Sequence, residues 1–220
     1  MFANAKAFNQ AVGHFNLGVC TDTSFMFSEA IVFNQPLNTW NVVNVTTMQD
    51  MFAGAYAFNS SLLTWNTAKV TTMENMFSGA TVFNQAVNHF TTTLVTDMNS
   101  MFYNAKAFNM ALSSWNTSAV TNMGNMFNGA SVFNQPINTF NTANVTNMAN
   151  MFVSAVAFNQ PLNNWNTAKV TNMIGMFQGA TVFNQNISNW VITAVVTKPP
   201  TNFSSSSALI NANKPGGWTT

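Results

Sequence analysis

The sequence predicts an α/β solenoid, a right-handed coil with short parallel strands on one side and short α or 3₁₀ helices on the other. The first reason is a Phe-Asn dipeptide that recurs every 25 residues without insertion or deletion. A fixed period of this length is typical of repeats that stack and bury their apolar faces against their neighbours. The other two reasons are a helix-like and a strand-like pattern inside each repeat. The phenylalanines of the dipeptide are Phe8, Phe33, Phe58, Phe83, Phe108, Phe133, Phe158 and Phe183.

The helix-like pattern occupies the first half of the repeat, for which residues 45–69 serve as the example. Thr46 is a good N-cap because its hydroxyl can accept a hydrogen bond from a free N–H of the first turn. Apolar residues follow at spacing i, i+3, i+4 and i+7, the stripe of an amphipathic helix. Gly54 suits the end of that helix, since glycine readily adopts the left-handed conformation. We therefore expect a helix over about residues 47–54. The stripe comprises Met48, Met51, Phe52 and Ala55.

The strand-like pattern covers residues 62–65 and ends in a polar turn. Leu62 and Trp65 are three residues apart, so a regular strand would point them to opposite faces. Either a bulge or turn brings both inward, which we favour, or one row faces outward. In the second case the aromatic row would form an exposed ladder suited to stacking on sugars or on a flat partner. The row comprises Phe15, Trp40, Trp65, Phe90, Trp115, Phe140, Trp165 and Trp190.

The residue before each Phe-Asn alternates between alanine and valine, beginning with Ala7 and Val32. The larger unit is therefore a pair of repeats. Alternating small and large side chains let adjacent core layers interdigitate at close packing. We expect these residues to belong to the core.

The repeats divide the chain into two parts. Residues 1–190 are eight repeats of a single solenoid domain, whose N-terminal end is expected to be uncapped because the chain opens within a repeat. Residues 191–220 are a C-terminal capping segment and tail, in which Pro199 and Pro200 block a further helix start of the usual kind.

Composition excludes several classes of function. Charged residues make up 5% of the chain and arginine is absent, so nucleic acid is not an expected partner. No apolar run approaches the roughly 20 residues of a membrane span. His14 and His89 lie three layers apart and cannot share a metal ion, and no catalytic set, metal cluster or phosphate loop is present. We expect no enzyme activity and no cofactor.

The motifs Val-Thr-x-Met-x-x-Met-Phe, Phe-Asn-Gln and Trp-Asn make the chain similar to the BspA-like leucine-rich-repeat surface proteins, in their 25-residue form. The match covers residues 1 to about 190. The resemblance implies a leucine-rich-repeat-like coil and a secreted or surface-displayed protein without catalytic residues. It also implies a role in adhesion or partner recognition.

Two groups of polar residues are candidate functional or structural features. The asparagine of each Phe-Asn is expected to form a ladder that bonds backbone groups between layers; a row that binds a glycan is the alternative. The ladder comprises Asn9, Asn34, Asn59, Asn84, Asn109, Asn134, Asn159 and Asn184. A binding face is expected on the sheet side. It comprises Gln35, Asn38, Thr39, Gln85, Asn88, His89, Gln135, Asn138, Gln160 and Asn163.

The sequence leaves two functions open. The first is adhesion or recognition of a protein or glycan at the cell surface or outside the cell. The second is a structural subunit of a virion shell, a spike or an extracellular filament. It rests on the uncapped N-terminal end, where head-to-tail self-association or attachment to a host assembly is expected, and on an uneven distribution of charge. All five acidic residues precede residue 98, whereas four of the six lysines follow it.

Overall fold

The computed structural model describes residues 1–216 and Trp218, and within them the predicted α/β solenoid is wrong. The described residues contain one short helix, the 3₁₀ helix Asn211–Asn213, and no sheet. The extended structure in this part consists of single parallel bridges between neighbouring repeats. They join Asp22 to Thr47, Thr47 to Thr72, Thr72 to Asp97, Asp97 to Asn122, Asn122 to Asn147 and Asn147 to Asn172.

The chain instead forms a column of 25-residue layers built from turns. Backbone hydrogen bonds link equivalent places in successive layers. The N–H of Phe27 donates to the carbonyl of Met51 at 2.8 Å, and that of Phe52 donates to Met76 at 3.0 Å. On another side of the layer, the N–H of Thr46 donates back to Thr21 at 2.8 Å. Each layer is therefore fixed to the layers before and after it by its main chain.

The expected helix over residues 47–54 does not form, because its N–H groups have other partners. Alternate N–H groups donate along the column, as from Met48 to Thr72 at 3.2 Å. The remaining ones close turns within the layer, as from Met51 to Met48 at 3.2 Å. An α-helix requires each N–H to bond the carbonyl four residues earlier. The expected N-cap, Thr46, uses its hydroxyl to donate to the Thr21 carbonyl at 3.0 Å instead.

Two residues per layer, four positions apart, have a left-handed backbone that a helix cannot contain. In the example layer these are Asp50 with φ 53° and Gly54 with φ 69°. Both places are rich in asparagine and glycine, which enter this region at the lowest cost. The first place also includes Phe25, Asn75, Ser100, Asn125, Asn150 and Gly175. The second also includes Asn4, Glu29, Gly79, Asn104, Gly129, Ser154 and Gly179.

The expected strand over residues 62–65 is also a turn, closed by a hydrogen bond from the Trp65 N–H to the Leu62 carbonyl at 3.0 Å. The turn points both side chains inward, where Leu62 is fully buried and Trp65 is 2% exposed. Of the two alternatives for this segment, the one in which a turn buries both residues is confirmed.

The core is one continuous pair of phenylalanine columns. Within a layer, the rings of Phe27 and Phe33 stack with centroids 3.9 Å apart. Between layers, the centroids of Phe33 and Phe58 are 6.0 Å apart, and those of Phe58 and Phe83 are 5.9 Å apart. Methionine, valine and alanine side chains fill the rest of the interior.

The alternating alanine and valine before Phe-Asn do not lie in the core, so that expectation is wrong. Val32, Val82, Val132 and Val182 are 42–46% exposed. The side chain at this place precedes the buried phenylalanine and therefore points out of the column. The result is a surface row in which valine and alanine layers alternate.

After residue 195 the chain continues against the eighth layer with a changed offset. The N–H of Phe177 donates to Phe203 at 2.7 Å and that of Gly179 donates to Ser205 at 2.8 Å. The ring of Phe203 then packs edge-on against Phe177, with centroids 5.5 Å apart. Residues 201–205 thus lie directly on the last regular layer.

A buried row of indole N–H groups adds a second set of bonds between layers. The Nε1 of Trp65 donates to the Leu37 carbonyl at 3.1 Å, and that of Trp165 donates to Ile137 at 3.1 Å. Phe90 has no such donor, and His89 Nε2 lies 3.1 Å from the Leu62 carbonyl in its place. The bond requires the tautomer with the proton on Nε2.

The layer of Phe140 has neither an indole nor a histidine donor, which leads to a stability prediction. Phe140→Trp should donate to the Leu112 carbonyl, 28 residues earlier, and raise the free energy of unfolding by about 0.5–1.5 kcal/mol. Urea denaturation followed by circular dichroism measures this change. Phe90→Trp is the matched control, because His89 Nε2 already bonds the corresponding carbonyl, that of Leu62. Equal effects of the two substitutions would contradict the assignment.

Candidate functional site

The asparagine ladder connects consecutive layers through its side chains. The Oδ1 of Asn34 accepts the backbone N–H of Asn59 at 2.8 Å, and the Oδ1 of Asn109 accepts that of Asn134 at 2.9 Å. The same bond recurs from Asn9 through Asn184 at 2.8–3.1 Å. The Oδ1 of Asn184 then accepts the N–H of Ile210 at 3.0 Å. These amides support the main chain at the corner of each layer.

Glutamines that follow the ladder are tied to it. The Nε2 of Gln85 donates to the Oδ1 of Asn59, and that of Gln160 donates to the Oδ1 of Asn134, both at 3.1 Å. Within the described residues, the Oε1 atoms of these glutamines accept no hydrogen bond. Where serine replaces glutamine, the Ser60 hydroxyl keeps the tie by donating to Asn34 at 3.0 Å.

The residues of the predicted binding face lie on a flank built from turns, since the described part of the chain has no sheet. We call this flank the Gln face. Its side chains are half-buried or exposed, and many bond across layers. Thr39 donates to the Gly13 carbonyl at 2.8 Å, and Asn88 exchanges two bonds of 2.9 Å with Ser114. The face comprises Gln35, Asn38, Thr39, Gln85, Asn88, His89, Gln135, Asn138, Gln160 and Asn163, and Gln185 continues its glutamine row.

The Gln face contains two shallow depressions. One, of about 450 Å³, is lined by Pro161, Asn163, Gln185 and neighbouring polar residues. The other, of about 580 Å³, is lined by His89, Ser114 and neighbouring residues. None of the lining residues of either depression is acidic or a lysine. The arrangement can exchange neutral hydrogen bonds with a ligand but provides no charged group for it.

The aromatic row is core in this structure. Trp40 and Trp65 are 2% exposed, Trp165 is 3% exposed and Trp115 is 4% exposed. These rings stack on one another between layers, as in the pair Trp40 and Trp65 with centroids 6.5 Å apart. The alternative of an exposed ladder that stacks on sugars is therefore wrong for this row.

His14 and His89 each pack edge-on against the following phenylalanine, with centroids 4.6 Å and 5.0 Å apart. Among residues 1–216 and Trp218, no three His, Cys, Asp or Glu side chains lie where they could hold a metal ion. The same residues include no helix with the length and apolar character needed to cross a bilayer.

The acidic residues differ in their pKa values for local reasons. Burial raises the pKa of Glu74, and the negative charges of Asp97 and Asp50 raise it further. Burial also raises the pKa of Asp50. By contrast, the Ser24 backbone N–H, which donates to Asp22 Oδ1 at 2.8 Å, lowers the pKa of Asp22. The acids of neighbouring layers thus repel one another along the column.

Sequence reasoning missed a depression in the part of the layers that precedes the Phe-Asn corner. It has a volume of about 390 Å³ and is lined by Glu29, Tyr56, Tyr103 and Lys106 among others. The two tyrosines are the only ones in the chain. The sequence indicated this depression only through these two tyrosines, which depart from the repeat in layers close to each other.

The ladder predicts a specific cost for removing one side chain. Asn109→Ala deletes the acceptor of the Asn134 N–H and of the Gln135 Nε2, so the free energy of unfolding should fall by about 1–3 kcal/mol. Asn109→Asp retains a carboxylate acceptor and should lose less. Asn38→Ala is the control, because the Asn38 side chain makes no hydrogen bond in the described part of the chain. Chemical denaturation distinguishes the three variants, and equal losses for Asn109→Ala and Asn38→Ala would contradict the ladder.

The pKa of Glu74 is raised and that of Asp22 is lowered, so substitutions of these two residues should change the stability of the fold with opposite pH dependence. A raised folded pKa means that Glu74 stabilises the fold when protonated, and this contribution is lost as the pH rises through the folded pKa. Glu74→Gln should therefore be more stable than the unsubstituted chain at pH 7, by roughly 0.2–0.5 kcal/mol given solvent screening. The difference should shrink as the pH falls towards the ordinary pKa of glutamate.

Asp22→Asn serves as the comparison, and thermal melting of both variants and of the unsubstituted chain as a function of pH measures the two differences. The lowered pKa of Asp22 stabilises the fold above its unfolded pKa, and that contribution is lost as the pH falls through the folded pKa. Asp22→Asn should therefore be less stable than the unsubstituted chain at pH 7. The difference in stability should become smaller as the pH falls. Differences of the same sign for both substitutions would contradict the assignment.

Comparison with known proteins identifies the family. No curated protein matches the chain. A family described as "Mycoplasma protein of unknown function, DUF285" matches twice, over residues 1–115 and 108–215. The two matches together cover nearly all of the layered column, which is consistent with a repeat surface protein. The chain belongs to the DUF285 family.

Proposed function

We propose that the chain is a non-enzymatic surface recognition protein that binds a protein or glycan through the Gln face. The resemblance of the repeat motifs to those of the BspA-like surface proteins supports this proposal. Membership of a repeat family also supports it. The location proposed with it is the cell surface or the space outside the cell.

The observation that carries the proposal is the row of glutamine oxygens. Gln135, Gln160 and Gln185 lie at the same place in three successive layers, and the Nε2 of each donates to a ladder asparagine at 3.0–3.1 Å. Their Oε1 atoms therefore form a row of acceptors at one-layer intervals, and the ring centroids of Phe133, Phe158 and Phe183 in the same layers are 6.0 Å and 5.9 Å apart. Groups held in place before binding lose less conformational entropy when a ligand arrives.

The kind of ligand follows from the absence of charge in this row. An extended chain or sugar that presents N–H or O–H groups at regular intervals complements three fixed acceptors. Because the neighbouring depressions have no acidic or lysine residue in their linings, salt should have little effect on binding.

A triple substitution tests the face without removing its support. Gln135→Ser, Gln160→Ser and Gln185→Ser should keep the tie to the ladder, as Ser60 does, and delete the three amide oxygens. Binding to a panel of immobilised neutral polysaccharides and matrix glycoproteins is measured by surface plasmon resonance at low and high salt. Loss of up to three hydrogen bonds should weaken any binding by about tenfold or more.

The control for this test lies at another place on the layers. Val153→Ser and Gln178→Ser should leave both binding and melting temperature unchanged. If the triple variant binds as the unsubstituted chain does, the Gln face is not the site. If the unsubstituted chain binds no member of the panel, the recognition function fails for these ligand classes.

The second candidate, a subunit of a larger assembly such as a virion shell, spike or filament, is favoured by the exposed valine row. Val32, Val82, Val132 and Val182 protrude from every second layer, and the intervening layers have alanine there. Ridges that recur every second layer would interdigitate with those of a second copy displaced by one layer.

Light scattering separates the two candidates. An assembly subunit should associate at micromolar concentration, and Val82→Ala with Val132→Ala should reduce association, because alanine already occupies this place in alternate layers. A monodisperse monomer at all salt concentrations would count against the assembly role and leave the recognition role unaffected.

A further inference from the structure

We propose that the depression around Gly79 binds a neutral sugar ring, at a site separate from the Gln face. This depression has a volume of about 390 Å³, at the low end of the roughly 300–1,000 Å³ of small-molecule sites. It precedes the Phe-Asn corner of the layers, whereas the Gln face follows that corner. We call it the Tyr depression; its lining includes Glu29, Gly54, Tyr56, Gly79, Tyr103 and Lys106.

The Tyr depression is formed where the repeat departs from its usual residues. Tyr56 is 45% exposed and Tyr103 is 36% exposed, and they are the only tyrosines of the chain. Elsewhere in the chain their two places contain no aromatic residue. The place of Tyr56 is taken by Lys6, Ile31, Thr81, Lys106, Ser131, Val156 and Thr181. That of Tyr103 is taken by Ala3, Ser28, Ala53, Ser78, Asn128, Val153 and Gln178.

Two glycines at the same place in successive layers, Gly54 and Gly79, lie beside these rings. A Cβ atom on Gly79 would lie 3.6 Å from Tyr56 Cε1 and 3.5 Å from the Cα of Gly54, so the ring borders the glycine pair. The N–H of Gly79 donates to the Tyr103 carbonyl at 2.6 Å, which joins the second tyrosine to the same pair. A flat ligand can therefore contact both an aromatic side chain and bare main chain.

The charges of the Tyr depression balance each other. Glu29 lies against Gly54, since a Cβ on Gly54 would overlap the Glu29 carboxylate. Lys106 contributes one positive charge from another layer. A site with one acid and one base selects neither anions nor cations as a class. Hydroxyl groups suit both, because they donate to a carboxylate and accept from an ammonium group.

These features together favour a sugar over other small ligands. The apolar C–H face of a sugar ring can pack on the face of an exposed tyrosine, which offers a large apolar surface with a polar hydroxyl at its edge. The ring hydroxyls can then donate to the Glu29 carboxylate or accept from the Lys106 ammonium group, both of which line the Tyr depression. A phosphate or a carboxylate ligand would gain from Lys106 but be repelled by Glu29.

Saturation-transfer NMR on the purified chain tests this assignment with methyl glucoside, methyl galactoside, N-acetylglucosamine and their disaccharides. Saturation transfer to the carbon-bound protons of at least one sugar is expected, and added inorganic phosphate, which has no such protons, is the charged competitor that should not displace the sugar. Tyr56→Thr and Tyr103→Ser use residues that other layers already contain at these places, so both should fold. Each should weaken binding about fivefold through loss of a stacking surface.

A third variant fills the Tyr depression. Gly79→Asn adds a side chain at a left-handed position, where Asn104 shows that asparagine is accommodated, and its Cβ meets only ordinary contacts. It should abolish sugar binding. Val156→Thr, Val153→Ser and Gly179→Asn make the corresponding changes in other layers and should have no effect on it.

Several outcomes would overturn the assignment. They are no saturation transfer to any sugar at millimolar concentration, loss of the sugar signal when an equal concentration of phosphate is added, or undiminished binding by Gly79→Asn. The triple serine variant of the Gln face should bind these sugars normally, so failure of one site does not imply failure of the other.

Discussion

Hydrogen bonding along the column, between residues 24 or 25 positions apart, is the constraint on which the rest of the structure depends. To bond the next layer, alternate N–H groups must point along the column axis, as those of Phe27 and Phe52 do. A helix would direct all of them along its own axis instead. The left-handed residues, such as Asp50 and Gly54, turn the main chain so that successive N–H groups alternate between the next layer and the local turn.

The same register explains why the surface is neutral. Equivalent side chains in adjacent layers are close neighbours, as shown by the ring centroids of Phe33 and Phe58 at 6.0 Å, so a charged residue repeated in every layer would form a column of like charges. The raised pKa of Glu74, for which Asp97 and Asp50 are partly responsible, shows that even scattered acids interact this way. Amide and hydroxyl groups have no such cost. The hydroxyls of Thr92 and Thr117 donate to the following layer at 2.9 Å and 3.0 Å, and ladder asparagines accept from it.

The sequence was sufficient for the period, for stacking in one column and for burial of the Met and Phe rows, because these follow from the spacing of apolar residues alone. It was insufficient for the helix over residues 47–54, since turns closed by i to i−3 bonds produce the same apolar spacing. Gly54 was equally ambiguous, because a left-handed glycine ends a helix and also belongs to a turn. The three-residue interval of Leu62 and Trp65 was the better indication, as it fits a turn and not a strand. The polar residues of the Gln face could be named, but their bonds across layers could not, since a bond such as that of Asn88 with Ser114 depends on the register.

Residues that repeat without change maintain the column, whereas residues that depart from the repeat are free to serve a ligand. His89 illustrates the limit of this distinction, because it departs from the repeat and yet supplies a bond that an indole provides elsewhere. The side chains of Tyr56 and Tyr103 supply no such bond within the described residues, and other layers replace them with a variety of non-aromatic residues. The glutamine row combines both roles, since the amide nitrogen of each glutamine supports the ladder and, within the described residues, its amide oxygen accepts no hydrogen bond. In a column of this kind, binding sites can therefore arise without any change of the main chain, by altering exposed side chains in a few adjacent layers.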